Sequence, residues 1–313
     1  MKKNLALGVD IGGTNTVFGL VDNQGNLYFE ESISTTSCET PEDLVEKIHQ
    51  KISQIGQLNN IIGIGIGAPN GNIFSGTIEF APNLKWKGII PIARLFEHQF
   101  KSDAVLTNDA NAAAMGEMIY GAAKGIDDFV SITLGTGLGS GVVVHGDLVY
   151  GHDGFAGEYG HIRVINDGRI CGCGRKGCLE TYASATGVVR SINELESINK
   201  KDSKLNLIES PHSNDVFRLA EEGDLFSKEI VEYTAQVLGS ALADFACFTS
   251  PKAYILFGGI AQSGQPFAEK VKTYMEASLL NIYKDKIEIK ISELHDKNAA
   301  VLGAASLVWN QQI

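Results

Sequence analysis

Leu5-Ala6-Leu7-Gly8-Val9-Asp10-Ile11-Gly12-Gly13-Thr14-Asn15-Thr16-Val17-Phe18-Gly19-Leu20-Val21 reads as strand, tight turn, strand: two apolar runs separated by glycine and short polar residues. Asp22-Asn23-Gln24-Gly25 is turn chemistry and residues 27–33 predict a third strand, so the N-terminus is an antiparallel meander. The same order returns at residues 128–150. There Phe129-Val130-Ser131-Ile132-Thr133-Leu134 leads into Gly135-Thr136-Gly137-Leu138-Gly139-Ser140-Gly141, an apolar run, a His145-Gly146-Asp147 turn and a further short strand. A fold duplicated in this way sets two glycine hairpins opposite each other, and a polyphosphate is the ligand suited to their backbone N–H groups. Neither hairpin is a Walker loop, since the lysine is missing and a strand follows the glycines, and Ser140 breaks the G-x-G-x-x-G of a dinucleotide fold. For Gly12 and Gly13 alone, a plain turn is the competing reading.

Between the repeats, Thr40-Pro41-Glu42-Asp43 predicts a capped helix with Leu44, Val45, Ile48, Ile52 and Ile55 on its apolar face and Gly56 at its end. Residues 61–68 predict a buried strand whose alternating glycines allow another backbone to approach closely. Residues 69–88 read as a long loop, and loops of that length in compact domains usually carry function. A helix is expected over 89–100, then a strand over 104–107 ending in Asn108-Asp109-Ala110-Asn111, then an alanine-rich helix to about residue 120. Asp109 at that junction is either a helix cap or a base at the mouth of a sheet. Farther on, the pattern predicts helices over 181–192 and 226–248, a polar connector over 193–214 and a strand over 253–257 running into Gly258-Gly259. A helix over 267–280, a strand over 287–291 and a last helix starting at Asn298 complete an α/β alternation.

A second cluster lies at Glu158-Tyr159-Gly160-His161 and Cys171-Gly172-Cys173-Gly174-Arg175-Lys176-Gly177-Cys178-Leu179-Glu180. Three of the five cysteines fall within eight residues, ten residues after a histidine, which is the donor set of a closed Cys₃His zinc site. Glycine lets the chain wrap a small ion, and Arg175 and Lys176 would offset thiolate charge. The alternative is a glycine-rich turn with incidental thiols. A four-ligand site implies structural zinc, because no position is left for substrate.

Composition narrows the field. At 313 residues and 44% hydrophobic content the chain can bury a full core, and its length suggests two domains. Lysine and arginine number 26 against 37 aspartate and glutamate, for a net charge of −11, and no basic run offers a footprint for nucleic acid. Met1-Lys2-Lys3 resembles the charged end of a signal peptide, but Asp10 interrupts the apolar stretch behind it and no later run is long enough to span a bilayer, so a cytoplasmic protein is expected. Cys38 and Cys247 are too few and too far apart to suggest a disulfide framework.

In their order, Asp10-Ile11-Gly12-Gly13-Thr14, Asn108-Asp109-Ala110-Asn111, Leu134-Gly135-Thr136-Gly137-Leu138-Gly139, Gly157-Glu158-Tyr159-Gly160-His161, the cysteine cluster and Phe257-Gly258-Gly259 resemble the ROK family of sugar kinases. The match covers nearly the whole chain. The resemblance implies a duplicated actin-like (ribonuclease H-like) α/β fold of two lobes, with nucleotide and sugar in the interdomain cleft. It implies a small domain of residues 1–117 plus 298–313 and a large one of 118–297 carrying the zinc knuckle. Asp109 becomes the general base that takes the proton from the sugar's 6-hydroxyl. Asn83, Asn108, Glu158, His161 and Glu180 become hydrogen-bonding partners of the sugar, His161 giving one ring nitrogen to zinc with Cys171, Cys173 and Cys178. Gly12, Gly13, Thr14, Thr136 and Gly137 would hold phosphates, Gly258 and Gly259 would flank the adenosine, and Asp10 would hold Mg²⁺ through water.

The implied reaction is ATP-dependent phosphorylation of a free hexose at the entry to carbohydrate breakdown, glucose first, with N-acetylglucosamine, N-acetylmannosamine, fructose and allose as rivals. A homodimer or homotetramer is expected, with no nucleic acid or membrane partner. A sugar-sensing protein without turnover and an actin-like filament protein are the alternatives from other classes. The first strand begins within a few residues of Met1, so the helix-turn-helix that precedes the kinase-like fold in ROK repressors is not expected here. One departure stands beside the implied sugar pocket: many members read G-x-P-G, whereas this chain has Gly67-Ala68-Pro69-Asn70-Gly71.

Overall fold

The computed structural model describes residues 4–294 and 299–309. The chain forms two compact units, one of Met1–Gly125, Leu148–Gly157 and Glu293–Ile313, the other of Ile126–Asp147 and Glu158–Ser292.

The first unit is built on strands β1 (Leu5–Ile11), β2 (Asn15–Val21), β3 (Leu27–Ser34), β4 (Ile61–Ala68) and β8 (Ala104–Asn108), in the order β3-β2-β1-β4-β8. The first three form the predicted antiparallel meander, and β4 and β8 add on in parallel. Side chains alternate across a strand. Leu5, Leu7, Val9 and Ile11 therefore join Ile64, Ile66 and Leu106 in a core with Leu44, Ile48 and Ile52 of α1 (Pro41–Gln54) and Phe96 of α2 (Ile92–Phe100). Burying each of these large side chains contributes about 1.5–3 kcal/mol. The Thr40 hydroxyl caps α1 by accepting from the Asp43 N–H at 3.2 Å, as its sequence signature predicts, while Ile55 falls just past the helix and is exposed.

The opposite face carries Ala6, Gly8 and the glycines of β4. It receives α3 (Asp109–Tyr120) and α9 (Ala299–Trp309), whose small residues let backbone meet backbone. A Cβ at Gly65 would collide with the Ala304 carbonyl, which is the close approach the alternating glycines foretold. The expected start of the last helix at Asn298 lies outside the described residues, as do Met1-Lys2-Lys3.

Residues 69–88, read as loop, hold two strands of a small antiparallel sheet: β5 (Gly71–Asn72), β6 (Thr77–Glu79) and β7 (Ile89–Ile90). Ile89 and Ile90 are thus strand rather than helix, because Pro91 biases the residue before it toward extended backbone and α2 begins after it.

The second unit repeats the plan. Strands β9 (Phe129–Leu134), β10 (Leu138–Val144), β11 (Asp147–Leu148), β12 (Ala253–Phe257) and β13 (Glu288–Ile291) lie in the order β11-β10-β9-β12-β13, again a meander with two parallel strands added. Between β11 and β12 run α4 (Glu180–Ala183), α5 (Ala185–Glu194), α6 (Ser213–Glu221) and α7 (Leu225–Thr249), and α8 (Gln265–Ser278) joins β12 to β13. Their apolar faces close over Val130, Ile132, Leu134, Tyr254 and Leu256. The single helix predicted over 181–192 is two, broken where the Ser184 hydroxyl donates to the Glu180 carbonyl at 2.6 Å and accepts from the Gly187 N–H at 3.1 Å.

Candidate active site and metal centre

In the first unit the candidate residues collect at the carboxyl ends of β1, β4 and β8. Asp10 pairs in register with Gly67, and Gly67 with Thr107. Having no side chain, Gly67 leaves room between them: a Cβ there would come within 3.6 Å of both the Asp10 carboxylate and the Asp109 backbone. Burial and then the nearby Asp109 charge push the Asp10 carboxyl up to about 7.

Asp109 is the first residue of α3, and the cap is Asn108, whose side-chain oxygen accepts from the Ala110 N–H at 2.9 Å. Asp109 accepts from the same N–H at 2.8 Å. Its side chain is open to solvent while the surrounding protein, by disfavouring charge, raises its pKa against the pull of that N–H. The junction is braced by the buried Asn111, whose amide donates to the Thr107 hydroxyl at 3.3 Å.

The glycine turn after β1 is closed by the Gly12 N–H donating to the Asn15 carbonyl at 3.0 Å, and the Thr35 N–H secures it through the Thr14 carbonyl at 2.8 Å. Thr14 and Asn83 are exposed, and Gly13 packs against the Asn83 backbone. Asn70 resolves the departure noted in the sequence. It takes φ +52°, the left-handed backbone that glycine favours and asparagine tolerates, and its side chain donates to the Glu79 carbonyl at 2.9 Å. Gly71 is needed for another reason, since a Cβ there would run into the Thr107 carbonyl.

In the second unit His161, Cys171, Cys173 and Cys178 converge, their ligand atoms all within 4.8 Å of one another. The Cys173 and Cys178 sulfurs are 3.7 Å apart, and Cys171 Sγ is 3.6 Å from His161 Nδ1. Tetrahedral zinc with Zn–S near 2.3 Å would separate two sulfurs by about 3.8 Å, so the donor set fits that ion. Arg169 and Arg175 shape the loop. Burial pushes the Cys173 thiol up, but hydrogen bonds from the Arg175 backbone and guanidinium outweigh it and hold the group at about 6. Burial drives Cys171 up to about 12 and also raises Cys178. Turning all three into thiolates at once therefore needs a cation. Arg175 also donates to the His161 carbonyl at 2.6 Å.

The sugar-site candidates of this unit surround the knuckle. His161 Nε2, the ring nitrogen away from the thiols, is 3.9 Å from the exposed Glu158 carboxylate. One Glu180 oxygen is 3.5 Å from Cys171 Sγ, and the other accepts from the Leu138 N–H at 3.2 Å. Glu180 therefore links the knuckle to the glycine turn that carries Thr136 and Gly137. Gly258, at φ +98°, packs on the backbone of Leu134, so the third glycine turn lies beside the same strand end.

Sequence reasoning passed over Arg169. Its largely buried guanidinium donates to the Thr181 and Gly187 carbonyls and the Ser191 hydroxyl, pairs with Glu194 at 2.6 Å and lies over the Tyr182 ring. It fastens the α4–α5 break to the knuckle. Nothing in its local sequence marks it, because its partners lie 12 to 25 residues later.

The sequence pattern that defines the ROK family matches residues 6–311. The chain is 34% identical over 317 residues to a glucokinase of Halalkalibacterium halodurans, covering 98% of this chain and 95% of that one. It is 29% identical over 311 residues to the xylose repressor of Bacillus subtilis, covering 98% of this chain and 77% of the repressor. Among solved structures, a ROK family glucokinase from Streptomyces griseus in complex with glucose and AMPPNP superposes with a TM-score of 0.80 at 32% identity, covering 97% of this chain and 98% of that one. The chain belongs to the ROK family and carries its duplicated actin-like fold.

Proposed function

We propose that this protein is an ATP-dependent hexose kinase that transfers the γ-phosphoryl group to the sugar's 6-hydroxyl, with glucose as the preferred substrate. The observation that carries the reading is Asp109: a solvent-reachable carboxylate at the first turn of α3, beside Gly67 and Asp10, with its pKa raised by the surrounding protein. Similarity to a glucokinase and to a glucokinase complexed with glucose and AMPPNP supports the choice of sugar and nucleotide.

In this mechanism Asp109 accepts the 6-hydroxyl proton as that oxygen attacks phosphorus, and ADP leaves with the bridging oxygen. Glu158, His161 and Glu180 hold the sugar hydroxyls, joined by Asn83 and by Asn108, whose amide nitrogen makes no hydrogen bond among the described residues. The backbone N–H groups near Gly12, Gly13, Thr14, Thr136 and Gly137 receive phosphate oxygens, and Gly258 and Gly259 flank the adenosine. Asp10, a carboxylate whose charge is poorly compensated, fits a Mg²⁺ site. That ion would neutralise phosphate charge. His161, Cys171, Cys173 and Cys178 would hold a structural zinc ion, whose part would be to fix the loop.

The test is to incubate the protein with glucose, ATP and Mg²⁺ and locate the phosphate by NMR. Glucose 6-phosphate supports the assignment; phosphate at another position, or none, refutes it. A second reading, a sugar-responsive regulator without turnover, is favoured only by the similarity to a xylose repressor. It predicts sugar binding with no ADP release.

A further inference from the structure

Outside the residues assigned above, the corner between α4 and α5 holds the glycine turn after β9. The Ala185 N–H donates to the Gly135 carbonyl at 2.8 Å, the Thr186 hydroxyl to the Thr136 carbonyl at 2.9 Å, and Glu180 accepts from the Leu138 N–H at 3.2 Å. Within the turn a single hydrogen bond remains, from the Gly135 N–H to the Gly137 carbonyl at 3.1 Å. With two glycines in three residues, that turn has little rigidity of its own.

Peptide planarity converts these contacts into direction. In a trans peptide the C=O and the following N–H point opposite ways. Pinning the Gly135 carbonyl toward Ala185 aims the Thr136 N–H away from the corner, and pinning the Thr136 carbonyl toward Thr186 does the same for the Gly137 N–H. Neither N–H has a protein partner among the described residues. Two successive unpaired N–H groups turned the same way form a nest suited to a phosphate oxygen.

We propose that Thr186 is a positioning residue for the nucleotide: its hydroxyl orients the Thr136–Gly137 peptide, and the corner that carries it follows directly from the last knuckle cysteine, so knuckle and phosphate turn are one mechanical unit. The proposal rests on the reading that this turn receives phosphate. It extends that reading to a residue that touches neither sugar nor nucleotide.

The experiment compares wild type with Thr186→Val, which keeps the shape and removes the donor, and Thr186→Ser, which keeps the donor. AMPPNP affinity is measured by calorimetry, the KM for glucose by turnover, and the exchange of the Gly135 and Leu138 amides by hydrogen exchange. A lost hydrogen bond of this kind corresponds to about three- to tenfold. Thr186→Val should weaken AMPPNP binding and speed amide exchange by that factor, leave the KM for glucose within about twofold, and be rescued by Thr186→Ser. Unchanged exchange, or faster exchange with unchanged AMPPNP affinity, overturns the proposal. The exchange measurement needs no turnover, so a protein that binds AMPPNP but phosphorylates no sugar would refute the kinase assignment while leaving the role of Thr186 decided by its own data.

Discussion

The two sheets have one strand order and opposite chemistry at the same place. In the first unit Asp10 stands next to Gly67 in register; in the second the corresponding pair is Thr133 beside Phe257. The first sheet therefore ends in buried charge with open space beside it. The second ends in a hydroxyl and an aromatic ring, and its polar groups come instead from the long insertion after β11 that contains the knuckle. Duplication supplied the glycine turn twice, but the carboxylates of the first sheet and the cysteine loop of the second belong to one unit each. On the proposed function, the first unit supplies the base, and the second supplies three of the five residues that hold the sugar, Glu158, His161 and Glu180.

The division breaks most visibly at Asp109. Removing a general base costs about 10²–10⁴ in rate, so Asp109→Asn should lose phosphorylation by that factor while sugar affinity stays within about tenfold. Normal turnover in that variant would refute the role. On the other side, Cys173→Ser, or extraction of the metal by a chelator, should remove the single zinc expected per chain and weaken sugar binding at least about tenfold. Elemental analysis showing no zinc in freshly purified protein would contradict it.

A pH experiment sharpens the charged side of the comparison. The folded protein keeps a proton on Asp10 up to about pH 7, whereas an ordinary aspartate releases it near 3.8. The folded state thus binds more protons across that window, and stability falls as pH rises through it, by a few kcal/mol at most. Without divalent cations, thermal melts of the wild type should drop from pH 4 to pH 7 more steeply than those of Asp10→Asn, and Mg²⁺ should recover the loss at pH 8. Parallel curves for the two proteins would show that Asp10 carries no such strain. The smallest effect belongs to Asn70. Asn70→Gly should change melting by a few tenths of a kcal/mol, whereas Asn70→Val should cost about 1–2 kcal/mol for its left-handed backbone.

What the sequence revealed follows from how local each cause is. The hairpins, the Thr40 cap and β12 depend on neighbours a few residues apart, and they were legible as patterns. The four residues of the candidate metal cluster were legible because side-chain type and spacing carry coordination chemistry directly. Strands β5 to β7 were not, since two or three residues have no periodicity and their pairing is tertiary. The capping role of Asn108, adjacent to Asp109, could not be separated from it by sequence, because both residue types favour that junction. Asn70 looked like a displaced motif until its φ showed it standing in for glycine. Arg169 and Thr186 were invisible because their partners lie 12 to 50 residues away. The candidate sugar-binding roles came only from the family resemblance.

The most direct test of the account measures sugar binding by calorimetry and ADP release in the same preparation, for glucose and for xylose, which lacks the C6 hydroxyl. A kinase whose base addresses that hydroxyl should bind glucose and release one ADP per sugar phosphorylated, with no xylose phosphate formed. Binding of glucose without any ADP release, or formation of a xylose phosphate, would contradict the assignment, and the first of these would favour a regulator.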